Sequence, residues 1–214
     1  MTYQRLRKTS VLTVPGLDGS GPEHWQSLWE RRLNRCERVQ MGDWAYPQRS
    51  KWVRRLDQEI RSSPAPVLIA AHSLGCLAVA WWAKECWSLG NQDRVIGALL
   101  VAPPDVERPD ARERMGSFSP APREPLPFPS LLVASRNDSF ASFDTCARIA
   151  AMWGSPLIDA GAIGHINADS GIGEWSEGIR LLTSLVPSEN PDESLLDWQA
   201  TPEEQESQSQ GERR

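Results

Sequence analysis

Val67-Leu68-Ile69-Ala70-Ala71-His72-Ser73-Leu74-Gly75 is an apolar, partly β-branched run that stops abruptly at small residues around a serine. Such a run reads as a buried parallel strand. After Gly75 the pattern changes to that of a helix, through Cys76, Leu77, Val79, Ala80, Ala83 and Lys84. Strand, sharp turn and helix with a serine at the apex is the layout of a nucleophile elbow. The small neighbours have a steric reason, since a large side chain on either flank of so tight a turn would clash across it. The common pattern is Gly-x-Ser-x-Gly, and Ala71 stands here in place of the first glycine, adding one methyl group. A plainer reading makes Ser73 the N-cap of the helix, a role that serine fills well. What separates the two is whether the chain supplies a base, an acid and an oxyanion hole around this residue.

The 214 residues, 40% hydrophobic and 24% charged, suit one domain with a sizeable core. A net charge of −5 and a pI of about 5.3 argue against nucleic acid as a partner, because no basic patch would neutralise phosphates. No apolar run approaches the ~20 residues that span a bilayer. Met1 to Lys8 is basic and lacks an apolar signal region. Cys36, Cys76, Cys86 and Cys146 are widely spaced with no Cys-x-x-Cys pair, as expected for reduced thiols in a cytoplasmic protein without a metal site. Ten tryptophans hint at an aromatic-lined cleft, although core filling accounts for most tryptophans.

In chain order, Ser10–Val14 reads as a strand that breaks at Pro15-Gly16-Leu17-Asp18-Gly19-Ser20-Gly21-Pro22. Ser20 and Glu23 have capping-box spacing for a helix carrying Trp25, Leu28, Trp29 and Leu33. The glycine-rich loop matches neither the dinucleotide fingerprint nor a phosphate loop, which disfavours nucleotide binding and leaves no cofactor implied. Cys36–Met41 reads as a weak second strand, followed by an aromatic loop with Trp44 and Tyr46. Trp52, Leu56 and Ile60 then mark an amphipathic helix. Val95–Ala102, Ser130–Ser135 and Pro156–Asp159 are further strands. Residues 106–129, rich in Pro, Arg and Glu, read as an irregular excursion with one helical turn near Arg112–Gly116. Helices are expected from Phe143 to Trp153 and from about Glu174 to Leu185. Residues 1–186 thus form one α/β domain with a mainly parallel sheet of about six strands. Residues 187–214, acidic and Gln/Ser-rich, are expected to be a disordered tail.

In such a sheet the functional residues collect in loops at the carboxyl ends of the strands. Those loops hold Leu17, Ser73, Asp138 and His165. A serine hydroxyl needs a base to take its proton, and the chain has only three histidines. His72 precedes Ser73 and, by strand alternation, points away from it. His24 lies in the first turn of a helix, where it lines or covers the cleft. His165, in the loop after the last strand, fits the base best, given the Ser…Asp…His order of this fold. Asp138 suits the acid that orients it, Asp105 is its rival, and an Asn-Asp-Ser turn capping the next helix is the plainer role for Asp138. The Leu74 amide, next to the serine, and the Leu17 amide of the glycine-rich loop would form the oxyanion hole. His24, Trp25, Trp44 and Tyr46 are weaker candidates for substrate contacts.

The chain resembles the small, cap-less serine hydrolases related to retinoblastoma-binding protein 9, within the α/β-hydrolase superfamily. The resemblance rests on Val14-Pro15-Gly16 with His24-Trp25, Ala71-His72-Ser73-Leu74-Gly75, and Pro127-Phe128-Pro129-Ser130 with Ser135 and Asp138. Gly164-His165-Ile166-Asn167 completes it. It implies a three-layer fold without a cap domain, a Ser73–Asp138–His165 triad, and esterase-like activity on small acyl substrates. The family's Leu-x-Cys-x-Glu motif for retinoblastoma-type pocket proteins is absent, so that partner is not carried over; the sequence does not specify an oligomeric state. A different class of reading is a degenerate hydrolase that only binds, and Ala71 is the residue that leans toward it.

Overall fold

The computed structural model describes residues 9–87 and 93–186. Met1–Lys8 and the expected tail at 187–214 lie outside the described residues. Six strands, β1 Ser10–Val14, β2 Cys36–Arg38, β3 Val67–His72, β4 Val95–Val101, β5 Ser130–Ala134 and β6 Leu157–Asp159, form one sheet in the order β2-β1-β3-β4-β5-β6. Every neighbouring pair is parallel. The helices are α1 Trp25–Arg32, α2 Arg49–Ser62, α3 Leu74–Cys86, the single turn α4 Arg112–Met115, α5 Phe143–Trp153 and α6 Ser176–Thr183.

Strand alternation divides the core into two layers. Leu68 and Ala70 of β3 pack with Trp25 and Trp29 of α1 and Leu182 of α6. Val67, Ile69 and Ala71 face the opposite side, against Leu56 of α2, Leu77 and Trp82 of α3 and Trp153 of α5. Helices therefore cover both faces of the sheet, giving three layers, and among the described residues no separate cap domain is present. Strand order runs outward from β1 to β2 in one direction and from β3 to β6 in the other. The switch point lies between β1 and β3, where a doubly wound sheet opens a crevice at its carboxyl end. The loop with Leu17 and the turn with Ser73 meet there.

Two expectations need correction. The helix after β1 is not capped by Ser20 and Glu23. His24 is the N-cap, its Nδ1 accepting from the Gln26 amide at 3.2 Å. A turn closed by His24 N–H on the Gly21 carbonyl delays the helix to Trp25, and the Ser20 hydroxyl instead donates to Gln26 Oε1 at 2.6 Å. The second strand is three residues long, not six, although Val39 still donates to the Thr13 carbonyl. Most of the tryptophans fill the core, as expected: Trp25, Trp29, Trp52, Trp82 and Trp153 are all fully buried, while Trp44 and Trp175 are half-buried. No helix among the described residues is long and apolar enough to cross a membrane.

Candidate active site

Ser73 sits between the end of β3 and the first turn of α3 with φ 54° and ψ −126°. A positive φ at a residue with a Cβ is strained, and such strain concentrates at functional sites. Two glycines make this turn possible. A Cβ on Gly75 would lie 2.1 Å from the Val14 carbonyl oxygen and 2.8 Å from that of Pro15. One on Gly16 would lie 2.7 Å from the Ser73 Cβ. The backbone of the loop after β1 thus runs directly against the serine and the start of α3. Ala71, by contrast, is fully buried in the core layer beneath α3, where its methyl group packs.

The structure brings Ser73, His165 and Asp138 into one hydrogen-bonded chain. His165 Nδ1 lies 2.8 Å from Asp138 Oδ2, and His165 Nε2 lies 2.9 Å from Ser73 Oγ. A carboxylate only accepts, so Nδ1 carries the proton in the neutral ring and the Nε2 lone pair faces the serine hydroxyl. The Asp138 side chain is 1% exposed and that of His165 11%. Asp138 also accepts the Phe140 amide through Oδ1 at 2.8 Å, so one carboxylate both shapes the turn and holds the imidazole. Asp105 is turned to its own loop, where Oδ1 accepts the Glu107 amide. Ser135 and Asn137 brace the arrangement. Asn137 Oδ1 accepts from Ser135 Oγ and from the Gly164 amide, and Ser135 Oγ accepts from the Ile163 amide. These bonds fasten the loop after β5 to the loop that carries His165. Only the resemblance pointed to Ser135, and nothing pointed to Asn137.

Leu74 follows the serine directly and Leu17 follows Gly16, the glycine that lies against Ser73, and neither amide donates to a backbone acceptor among the described residues. The loop around Leu17 is set by left-handed residues Asp18 and Gly19, with Gly19 N–H closing a turn on the Gly16 carbonyl and Asp18 N–H bonded to the Trp44 carbonyl. Trp44 packs edge-on against Trp52 beneath this loop, while Tyr46 is 63% exposed beside Arg114.

Trp25 and His24 are not placed to meet a substrate. Trp25 is fully buried, its indole donating to the Ile166 carbonyl at 2.9 Å. His24 is 4% exposed, capping α1 and packed against Trp25 and His72. Its pKa is lowered to about 4, first by burial and then by the charges of Arg38 and His165. His72 is equally buried, donates from Nε2 to the His165 carbonyl, and is held well below the usual histidine range by burial, His24 and His165. Neither ring is a base available to the serine. Buried thiols are no rival nucleophiles: burial raises the Cys76 pKa and pushes Cys146 up to about 12, with Asp138 and Asp105 adding to the latter.

Beside this chain lies a cavity of about 250 Å³. Leu17, Ala111, Met115 and Phe140 give it apolar wall, and Asp105, Arg108, Asp110, Glu113 and Arg114 line the rest with Ser139. Phe140 also lies over the His165 ring, with centroids 4.3 Å apart. Both arginines are engaged, Arg108 with Asp110 and the Ser139 carbonyl, Arg114 with Asp18 and the Ala45 carbonyl. They tie the 106–118 segment to the loops around the site. A second cavity of about 360 Å³, between Val106, Ala121, Arg148 and Met152, meets the first at Asp105; neither cavity is lined by Ser73 or His165, and the first adjoins them through Leu17 and Phe140.

The solved structures most like this one include a YdeN-like hydrolase from Pectobacterium atrosepticum, 32% identical over 86% of this chain and 96% of that chain, with a TM-score of 0.72. The ydeN gene product from B. subtilis is 18% identical, covering 84% of this chain and 100% of that one, TM-score 0.68. Est1E from Butyrivibrio proteoclasticus, 14% identical over 84% and 92% with a TM-score of 0.54, shares the fold, which is that of the α/β hydrolases. No curated protein matched the chain. The serine hydrolase family model matches residues 11–184, from the first strand through the last helix. By that match and by its likeness to the Pectobacterium hydrolase, the chain belongs to the serine hydrolase family.

Proposed function

We propose that this protein hydrolyses small acyl esters or amides through an acyl-enzyme formed on Ser73. The observation that carries the reading is the unbroken hydrogen-bond chain from Ser73 Oγ through His165 to Asp138. Ser73 Oγ attacks the carbonyl carbon while its proton passes to His165 Nε2. The carbonyl oxygen becomes an oxyanion and takes the Leu17 and Leu74 amides. Asp138 holds the imidazole in the productive tautomer and stabilises the imidazolium. His165 then returns the proton to the leaving oxygen or nitrogen, and that bond breaks. Water repeats the sequence on the acyl-enzyme, releasing the acid and restoring the serine. No step calls for a metal or cofactor.

The cavity bounded by Leu17, Met115 and Phe140 takes the group next to the scissile carbonyl, and its size favours short chains. The motif resemblance supports kinship with the retinoblastoma-binding protein 9-like branch. Buried Cys36, Cys76 and Cys146 without a disulfide framework suit the reducing cytoplasm. The test is p-nitrophenyl acetate hydrolysis together with labelling by a fluorophosphonate probe. Ser73→Ala should lower turnover by about 10⁴–10⁶-fold and abolish labelling. Undiminished turnover in that variant overturns the assignment.

A further inference from the structure

The backbone that carries His165 is held from below by two ring N–H groups. His72 Nε2 lies 2.9 Å from the His165 carbonyl oxygen, and Trp25 Nε1 lies 2.9 Å from the Ile166 carbonyl oxygen. A carbonyl only accepts, so both rings donate, and the His72 tautomer is fixed with its proton on Nε2. Between these two anchors Ile166 is fully buried with φ 51°. A β-branched residue is a genuine outlier in the left-handed region, and it persists only where its surroundings enforce it. Here the two donors do so, and they come from elements far from His165 in sequence: the end of β3 and the start of α1.

The arrangement has a geometric consequence. His72 and Ser73 are consecutive, and they grip the two ends of one residue. His72 takes the His165 carbonyl and Ser73 meets its imidazole. The reach from His165 Nε2 to Ser73 Oγ is then bounded by a closed loop of contacts around the tip of β3, which works alongside the bonds of the Ile163 and Gly164 amides to Ser135 and Asn137. Packing reinforces the anchor: the His72 ring lies 4.9 Å, centroid to centroid, from that of His165 and 4.6 Å from that of His24.

We propose that His72 and Trp25 are positioning residues for the hydrolytic reaction, their ring N–H groups clamping the His165–Ile166 backbone so that the imidazole stays in line with Ser73. The proposal rests on the acyl-transfer reading above and goes beyond it. Neither residue touches the substrate, so loss of the clamp should lower kcat and leave KM nearly alone. A packing role alone would lower stability without that split.

The experiment measures kcat and KM on p-nitrophenyl acetate, with thermal unfolding, for the full-length protein and its His72→Gln, His72→Asn and His72→Leu variants. The glutamine amide can reach the place of Nε2, whereas the asparagine amide is one methylene short. Misplacement by about 1 Å is worth roughly 10²-fold in rate, so the Asn and Leu variants should lose about 30- to 100-fold in kcat with KM within about twofold. His72→Gln should stay within about fivefold of the wild type. Trp25→Phe should repeat the kcat-only loss. Equal kcat in the Gln and Asn variants overturns the proposal, and that pair decides the matter even if His72→Leu does not fold. A folded His72→Leu enzyme with undiminished kcat overturns it as well. Retained turnover in Ser73→Ala, measured alongside, removes instead the hydrolytic reading on which the clamp depends.

Discussion

Replacing Gly75 by alanine tests whether the close approach of β1 to α3 shapes the site. The new Cβ would stand 2.1 Å from the Val14 carbonyl oxygen and 2.8 Å from that of Pro15, both of them backbone atoms that cannot swing aside. Contacts below 3.0 Å are essentially never seen, so β1 and the first turn of α3 must part by about 0.9 Å. The Leu74 amide lies on one side of that gap, and the Leu17 amide follows two residues after Pro15 on the other. Overpacking of this kind costs about 1–3 kcal/mol, and each kcal/mol is worth about 2–4 °C in Tm for a domain of this size. A shift near 1 Å between the Leu17 and Leu74 amides, the oxyanion donors of the proposed mechanism, should lower kcat by about 10²-fold. Hydrolysis of p-nitrophenyl acetate and a thermal melt measure both effects. Gly21→Ala is the control, since a Cβ there meets nothing within 4 Å and should change neither quantity. Wild-type kcat and Tm in Gly75→Ala would refute the claim that the packing of the loop after β1 against α3 holds the donors in place.

The two candidate acids separate cleanly: Asp138→Asn should lower kcat by about 10⁴-fold through the wrong imidazole tautomer, while Asp105→Asn stays near wild type. Steady-state kinetics on the two variants decides it. Met115→Trp narrows the cavity beside Leu17 and Phe140, and should lower kcat/KM for p-nitrophenyl butyrate more than for the acetate in a chain-length series. Stability should fall with acid through His24. Its pKa is about 4 in the fold and 6.5 unfolded, so between those values the unfolded chain binds the extra proton. Its contribution is complete above pH 6.5, drains away down to pH 4 and amounts to about 3 kcal/mol at most. His24→Asn keeps a capping side chain and should flatten the pH dependence of Tm across that window.

The features most legible in the sequence were those written in local pattern. The apolar run at 67–71, the small residues around Ser73 and the helical spacing after it give β3, the turn and α3 directly. Loop order at the carboxyl ends of the strands led to Ser73, Asp138 and His165 as neighbours, because a parallel sheet leaves few places for such loops to converge. Contacts across the chain were harder to read. Trp25 looked like a cleft residue because an exposed and a buried indole have the same local pattern, and its acceptor lies 141 residues away. The capping box failed for a related reason: spacing shows that Ser20 and Glu23 are compatible with a cap, but the turn at Gly21–His24 decides where the helix begins. Asn137 carried no signal because the bond that matters to the site runs to an amide 27 residues on, which local spacing does not show.

The alternation along β3 has a bearing on how such a protein can diversify. Odd and even positions of that strand belong to different core layers, and the last even position is His72, immediately before Ser73. Inserting or deleting one residue within 67–72 would exchange every side chain between the layers and rotate the reactive turn out of its place. New substrate preferences must then arise by exchange of side chains or by lengthening the peripheral 106–129 excursion, while the central strand tolerates no change in count.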